Sequence, residues 1–259
     1  MTIKDEEKLV KKLFKGLMKE NKHLLYDMAN FTFNQRGGSA KGWAFEESSV
    51  RLLENEAVSI QKGSATEPNT DYIICLLNDS IPIQAKAYTL AKPSDKAQMS
   101  TMAKTSYFED SLSIFFNEMT GEFDGKGYSK YLSKFNIPMD VLLSTNPEKM
   151  NGKLYAFHFI SLFSKCTSFV QNKNSISIRA KDPDTNRLRE AFRFGPDSSA
   201  SNDCYNRGIW IQNWFLEKYV KPICVTKIET KDIFGIYMTA MQVERRNQKA
   251  RKSRTTVAS

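Results

Sequence analysis

Asp71, Gln84 and Lys86 are the residues whose types and spacing point most directly to chemistry in this sequence. They belong to two β-prone runs, Asp71 to Leu77 and Ser80 to Tyr88, on either side of Asn78-Asp79. Asn-Asp suits a tight turn that needs positive φ, so the segment reads as a β-hairpin over residues 71–88. With a two-residue turn, Ile73 faces Gln84 and Asp71 faces Lys86. Side chains alternate along a strand, so Asp71, Gln84 and Lys86 emerge on one side. Tyr72, Ile74, Leu76, Ile81, Ile83 and Ala85 take the other side, which suits burial against a helix. Pro82 marks the second strand as one expected at a sheet edge.

A carboxylate, an amide and a lysine on one face suit phosphodiester hydrolysis. That reaction needs charge neutralised at phosphorus, an activated water and a stabilised leaving oxygen. Mg²⁺ held by one or two carboxylates, a carbonyl oxygen and waters provides much of this, and Mn²⁺ is expected to substitute. Asp71 is the expected principal ligand, and Gln84 supplies an amide oxygen or orients a water. Lys86 stands near the scissile phosphate to polarise the water or stabilise charge. Glu46, which shares a helix face with Val50 and Leu53, is expected to complete the metal's shell.

Several elements must position these residues. Leu9, Val10, Leu13, Phe14, Leu17, Met18, Leu24, Leu25 and Met28 recur at helical spacing, predicting one amphipathic helix or a helical pair over residues 5–29. Residues 34–42, with Gly37-Gly38, read as a loop, Trp43 to about Asn55 as a helix, and Val58 to Lys62 as a short strand. Residues 94–120 read as mainly helical. Val141 to Ser144 and Leu154 to Phe159 read as strands, and Ser175 to Arg179 with Arg187 to Phe194 as a second hairpin across Asp182-Pro183-Asp184. Ile209 to Tyr219 suits a helix. The expected fold is α/β (α+β), a central mixed sheet flanked by helices. The expected division is a core with its amino-terminal helices over residues 1–125, and the rest of the sheet over 126–259, serving DNA recognition or dimerisation.

The order helix-Glu, loop, strand-Asp, turn, strand-Gln-x-Lys resembles the PD-(D/E)xK nuclease superfamily. Gln84-Ala85-Lys86-Ala87-Tyr88 is similar to the Gln-x-Lys-x-aromatic variant of Mrr-type restriction endonucleases, and Trp43-Ala44-Phe45-Glu46 to the Phe-Glu that opens their core. The resemblance covers residues 41–90. It implies a restriction-endonuclease-like core, Mg²⁺-dependent DNA cleavage, frequent dimers, and Glu46, Asp71, Gln84 and Lys86 as the active site. Two departures stand out. Thr70 precedes Asp71 where the pattern has proline, and Gln84 replaces an acidic residue, removing a charge that Glu46 or Glu67 must restore.

The net charge of +9 over 259 residues favours a polyanionic partner, here expected to be double-stranded DNA. Lys41, Lys62 and the run containing Arg245, Arg246, Lys249, Arg251 and Lys252 are the candidate phosphate contacts. Arg179, Lys181, Arg187, Arg189, Arg193, Tyr205, Arg207 and Trp210 are further cations and aromatics able to reach phosphates and bases. The same charge also suits a non-catalytic DNA- or RNA-binding accessory protein. Asp71 facing a phosphate argues against that alternative, because a carboxylate repels the ligand unless a cation intervenes. Four scattered cysteines, no CxxC spacing and two histidines exclude a structural zinc site of ordinary pattern. The highly charged amino terminus and the absence of a run of about twenty apolar residues lead us to expect a cytoplasmic protein with reduced thiols and no membrane partner.

Overall fold

A computed structural model describes residues 1–20, 23–35, 38–54, 59–62, 70–76, 79–101, 111–173, 175–196 and 207–229. Three helices open the chain, α1 (Ile3–Glu20), α2 (Leu24–Phe33) and α3 (Gly38–Glu54). In α1 the buried residues are Val10, Phe14 and Leu17, one stripe at helical spacing. Thr2 and Asp5 close its start reciprocally: the Asp5 N–H donates to Thr2 Oγ1 (3.3 Å) and the Thr2 N–H to Asp5 Oδ2 (3.2 Å). The expected helical pair is present. The expected loop over 34–42 is shorter than predicted, because helix α3 already begins at Gly38. Gly37-Gly38 favours a break but does not set its length.

The first sheet has six strands in the order β1 (Ser59–Lys62), β2 (Tyr72–Cys75), β3 (Ser80–Thr89), β7 (Met139–Asn146), β8 (Asn151–Phe157), β13 (Cys224–Lys227). Strands β3 and β7 run parallel and every other neighbouring pair is antiparallel, so the sheet is mixed. One face carries Tyr72, Ile74, Ile81, Ile83, Ala85, Met139, Val141, Leu143, Leu154 and Ala156, packed with Val10, Phe14, Met28, Phe45 and Leu53 of the three helices. The hairpin's apolar side is therefore buried against helices, as its alternation predicts, except for Leu76, which lies past the end of β2 and is exposed.

The second sheet is antiparallel, with seven strands in the order β4 (Lys96–Thr101), β12 (Arg207–Gln212), β11 (Leu188–Pro196), β10 (Ser175–Lys181), β9 (Cys166–Asn172), β6 (Glu122–Phe123), β5 (Phe116–Asn117). Its inner residues Ala97, Met99, Ile178, Phe192, Phe194, Ile209 and Ile211 share a core with Leu142, Tyr155 and Phe157 from the other face of the first sheet. Among the described residues, three further short helices are α4 (Gly125–Leu132), α5 (Phe159–Leu162) and α6 (Asn213–Tyr219). The first sheet draws strands from both sides of residue 125, and so does the second.

Four expectations need correction. Strand β3 is not at a sheet edge but lies between β2 and β7; its pairing with β7 begins at Ile83, one residue past Pro82, so the proline stays outside that ladder. The helix expected over 94–120 gives way at both ends, where Lys96–Thr101 is strand β4 and residues 116–117 are strand β5, while residues 102–110 lie outside the described residues. Lys, Ala, Gln and Met favour helix intrinsically, but pairing with β12 decides, burying Ala97 and Met99 at strand spacing. Ile209 to Tyr219 is divided between strand β12 and helix α6, the strand ending at Gln212. The hairpin register also differs: Ile73 faces Pro82 and Tyr72 faces Ile83, a four-residue connection replacing the two-residue turn. Leu76 N–H donates to the Asp79 carbonyl (2.8 Å) to close it. Each partner shifts by two residues, and a shift of two leaves every side chain on its original face.

Candidate active site

Asp71, Gln84, Lys86 and a fourth residue, Asp140, occupy the face of the first sheet that the helices leave uncovered. Strand β3 positions Gln84 and Lys86 on this face by simple alternation with the helix-facing Ile83 and Ala85. Asp71 immediately precedes strand β2, and the register places it beside Gln84. Its N–H donates to the Ile83 carbonyl (2.9 Å), and its Oδ2 accepts the Ala85 N–H (2.7 Å). The carboxylate thus satisfies a backbone donor at the point where β2 no longer runs alongside β3.

On the other side of β3, the parallel register sets Asp140 of β7 beside Gln84, and Leu142 beside Lys86. Asp71, Gln84 and Asp140 therefore form a row across three strands, with Lys86 one same-face position further along β3. Phe157 stands opposite Asp140 on β8 and helps exclude water from it. Asp140 is fully buried, at 0% exposure, and neither carboxylate oxygen has a hydrogen-bond partner among the described residues. Burial pushes its pKa well above the usual carboxylate range. The Lys86 ammonium and the Phe159 backbone N–H oppose that shift without closing a hydrogen bond to either oxygen, and the Asp71 charge adds to it. Lys86 moves the other way: burial lowers its pKa, against the pull of Asp140 and Asp71. Burial thus works on each group in the direction of its neutral form.

The structure thus brings Asp71, Gln84 and Lys86 together. Glu46 is half-buried on α3, on the helix-covered side; burial raises the pKa of Tyr72, and the charges of Asp71 and Glu46 both add to that rise, so both carboxylates act on the same buried hydroxyl. Lys41, also on α3, donates to Thr89 Oγ1 at the end of β3 (3.2 Å) and lies 5.5 Å from the Phe33 ring centre. Desolvation lowers its pKa. Lys62 ends strand β1 opposite Tyr72. Glu67, Tyr205 and the cations Arg245, Arg246, Lys249, Arg251 and Lys252 lie outside the described residues. In the second sheet, Arg189 is held by Asp182 (2.6 Å) and stacks on Trp214 (4.6 Å), while Arg193 pairs with Glu190 (3.0 Å).

Asp140 is the site residue that sequence reasoning missed. Its signal is an acidic residue inside the otherwise apolar run Met139 to Leu143, on a strand buried along its whole length. No three His, Cys, Asp or Glu side chains among the described residues stand close enough to hold a metal ion. The row is instead two carboxylates and an amide, a donor set of oxygen atoms that suits Mg²⁺ or Mn²⁺ and not zinc. No helix among the described residues is long and apolar enough to cross a membrane. Comparison with protein-family models and with curated proteins finds no match.

Proposed function

We propose that this chain is a divalent-cation-dependent DNA endonuclease of the restriction or defence type, with Asp71 and Gln84 as cation ligands and Lys86 as the group that handles the water. The observation that carries this reading is the convergence of Asp71, Gln84 and Lys86 on one sheet face beside the orphaned, buried carboxylate of Asp140. A buried charge without a partner is costly, and such groups ordinarily pair or coordinate a cation. The oxygen donors fit Mg²⁺, which uses one or two protein carboxylates and completes its shell with waters and substrate phosphate. When bound, such a cation supplies Lewis acidity at the phosphate.

The protein's own groups do the rest. Burial lowers the pKa of the Lys86 amine, and in its neutral form Nζ can accept a proton from water. In the reaction a water oxygen bonds to phosphorus, the P–O ester bond breaks and the proton passes to Lys86 Nζ. The leaving oxygen takes a proton from solvent. Asp71 is held in place by the Ala85 N–H, so its second oxygen is oriented without the loss of side-chain freedom that a loose carboxylate would suffer. We place this machinery on a restriction-endonuclease-like core acting on double-stranded DNA as a homodimer in the cytoplasm. The net charge of +9 supports a polyanionic substrate.

The test is incubation of the purified chain with mixed plasmid and phage DNA in Mg²⁺, in Mn²⁺ and in EDTA. The expected result is cutting in both metals and none in EDTA, with discrete fragments if recognition is sequence-specific. DNA binding with no cutting of modified or unmodified DNA in either metal would overturn the proposal in favour of a non-catalytic accessory protein.

A further inference from the structure

Gln84 stands where the resemblance sets an acidic residue, so a cation at Asp71 and Gln84 alone would meet one protein carboxylate and not two. Among the described residues, two carboxylates are candidates for the second. Glu46 approaches from α3 on the helix-covered face, near Tyr72. Asp140 stands beside Gln84 on the adjacent parallel strand and on the same face. We infer that Asp140 is the third protein ligand of the cation and supplies the charge that Gln84 lacks; this rests on the nuclease reading above.

Three observations carry the inference. Asp140 is buried to 0% exposure near the start of β7, and Leu142, the next residue on its face, packs in an apolar core. Neither of its oxygens has a hydrogen-bond partner among the described residues, which a purely structural buried aspartate would ordinarily find. The third is register. Asp71, just before β2, stands beside Gln84 of β3, which stands beside Asp140 of β7, and among the described residues the charge of opposite sign acting on Asp140 is that of Lys86, itself assigned to the water. Replacing Asp140 by an apolar residue would remove a buried charge. Its presence in this run has a physical reason if a cation shares it.

The experiment uses the full chain and Mn²⁺ alone as the probe. Calorimetric titration is run on wild type, Asp140→Asn, Asp71→Asn and Glu46→Gln, with melting temperature measured in EDTA and in Mn²⁺. Asp140→Asn is expected to weaken Mn²⁺ binding by about tenfold or more, while Glu46→Gln changes it by less than about threefold. In EDTA the melting temperature of Asp140→Asn should equal or exceed that of wild type, because an amide replaces an unpartnered buried carboxylate. Its Mn²⁺-induced rise should shrink. A wild-type affinity in Asp140→Asn, with binding lost in Asp71→Asn, would overturn Asp140 as a ligand and leave the nuclease reading standing. No Mn²⁺ binding by wild type, with or without DNA, would overturn both. Should Asp140→Asn fail to fold, Mn²⁺ soaked into wild-type crystals decides. Anomalous density within coordination distance of Asp140 bears the inference out, and density at Asp71 and Glu46 alone overturns it.

Discussion

Substituting Asp71 by Asn and by Ala separates two things its carboxylate does. Asn keeps an oxygen for the Ala85 N–H and removes the charge; Ala removes both. Leaving a backbone donor at β3 unpaired costs about 1–2 kcal/mol. Denaturant unfolding should therefore show Asp71→Ala destabilised by about that amount and Asp71→Asn within about 0.5 kcal/mol of wild type. DNA cleavage should be lost in both. Equal destabilisation of the two variants would mean that the hydrogen bond to Ala85 is not what the carboxylate contributes. The placement of Asp71, Gln84 and Lys86 on one face was legible because alternation in a strand is local. It survived a register that differs by two, since the side-chain period is two. Asp140 was not legible: it reaches the site through a parallel pairing between β3 and β7, and nothing in either strand announces its partner.

At the scale of elements, two interactions are open to test. Helix α4 begins at Gly125, where a Cβ would stand 2.0 Å from the Phe163 carbonyl oxygen and 2.4 Å from that of Cys166. Both obstacles are backbone, so Gly125→Ala forces α4 away from the turn before β9. It should destabilise by about 3 kcal/mol, measured by denaturant unfolding. In the second sheet, Glu190 of β11 is ringed by Ser177, Gln212, Arg193 and Lys96. Desolvation works to raise its pKa, but the hydrogen bonds and cations outweigh it and hold the carboxyl below its ordinary value of 4.5. A depressed carboxylate stabilises the fold above its unfolded pKa, and that stability is lost as pH falls through the folded value. The melting temperature of Glu190→Gln should therefore lie furthest below wild type near neutral pH, with the gap closing below about pH 4. A gap that persists unchanged in acid would contradict the ion-pair account. The hairpin of β10 and β11 was legible from its flanking turn residues, whereas β4 was not. Its sequence favours helix, and its partner β12 is more than a hundred residues away.

The whole molecule is two sheets traversed by one chain, which passes from β3 straight into β4 and returns to the first sheet at β7. The turn between β3 and β4 is set by Asp95, whose Oδ2 accepts the Ala91 and Lys92 N–H groups (2.7 and 2.8 Å). The mixed α/β class and the helix-covered sheet face were legible from periodicity. The second sheet's cover of the other face was not, because sheet-to-sheet packing depends on which strands share a core. This cover has a functional consequence: desolvation raises the pKa of Asp140 and lowers that of Lys86. The account's central claim is that this site cuts DNA. It is tested most directly by a time course of supercoiled plasmid in Mg²⁺ with wild type, Asp71→Asn and Lys86→Met, each first shown to be folded. The account predicts cleavage by wild type and a loss of at least about a hundredfold in each variant. Variants that cut as fast as wild type would contradict it.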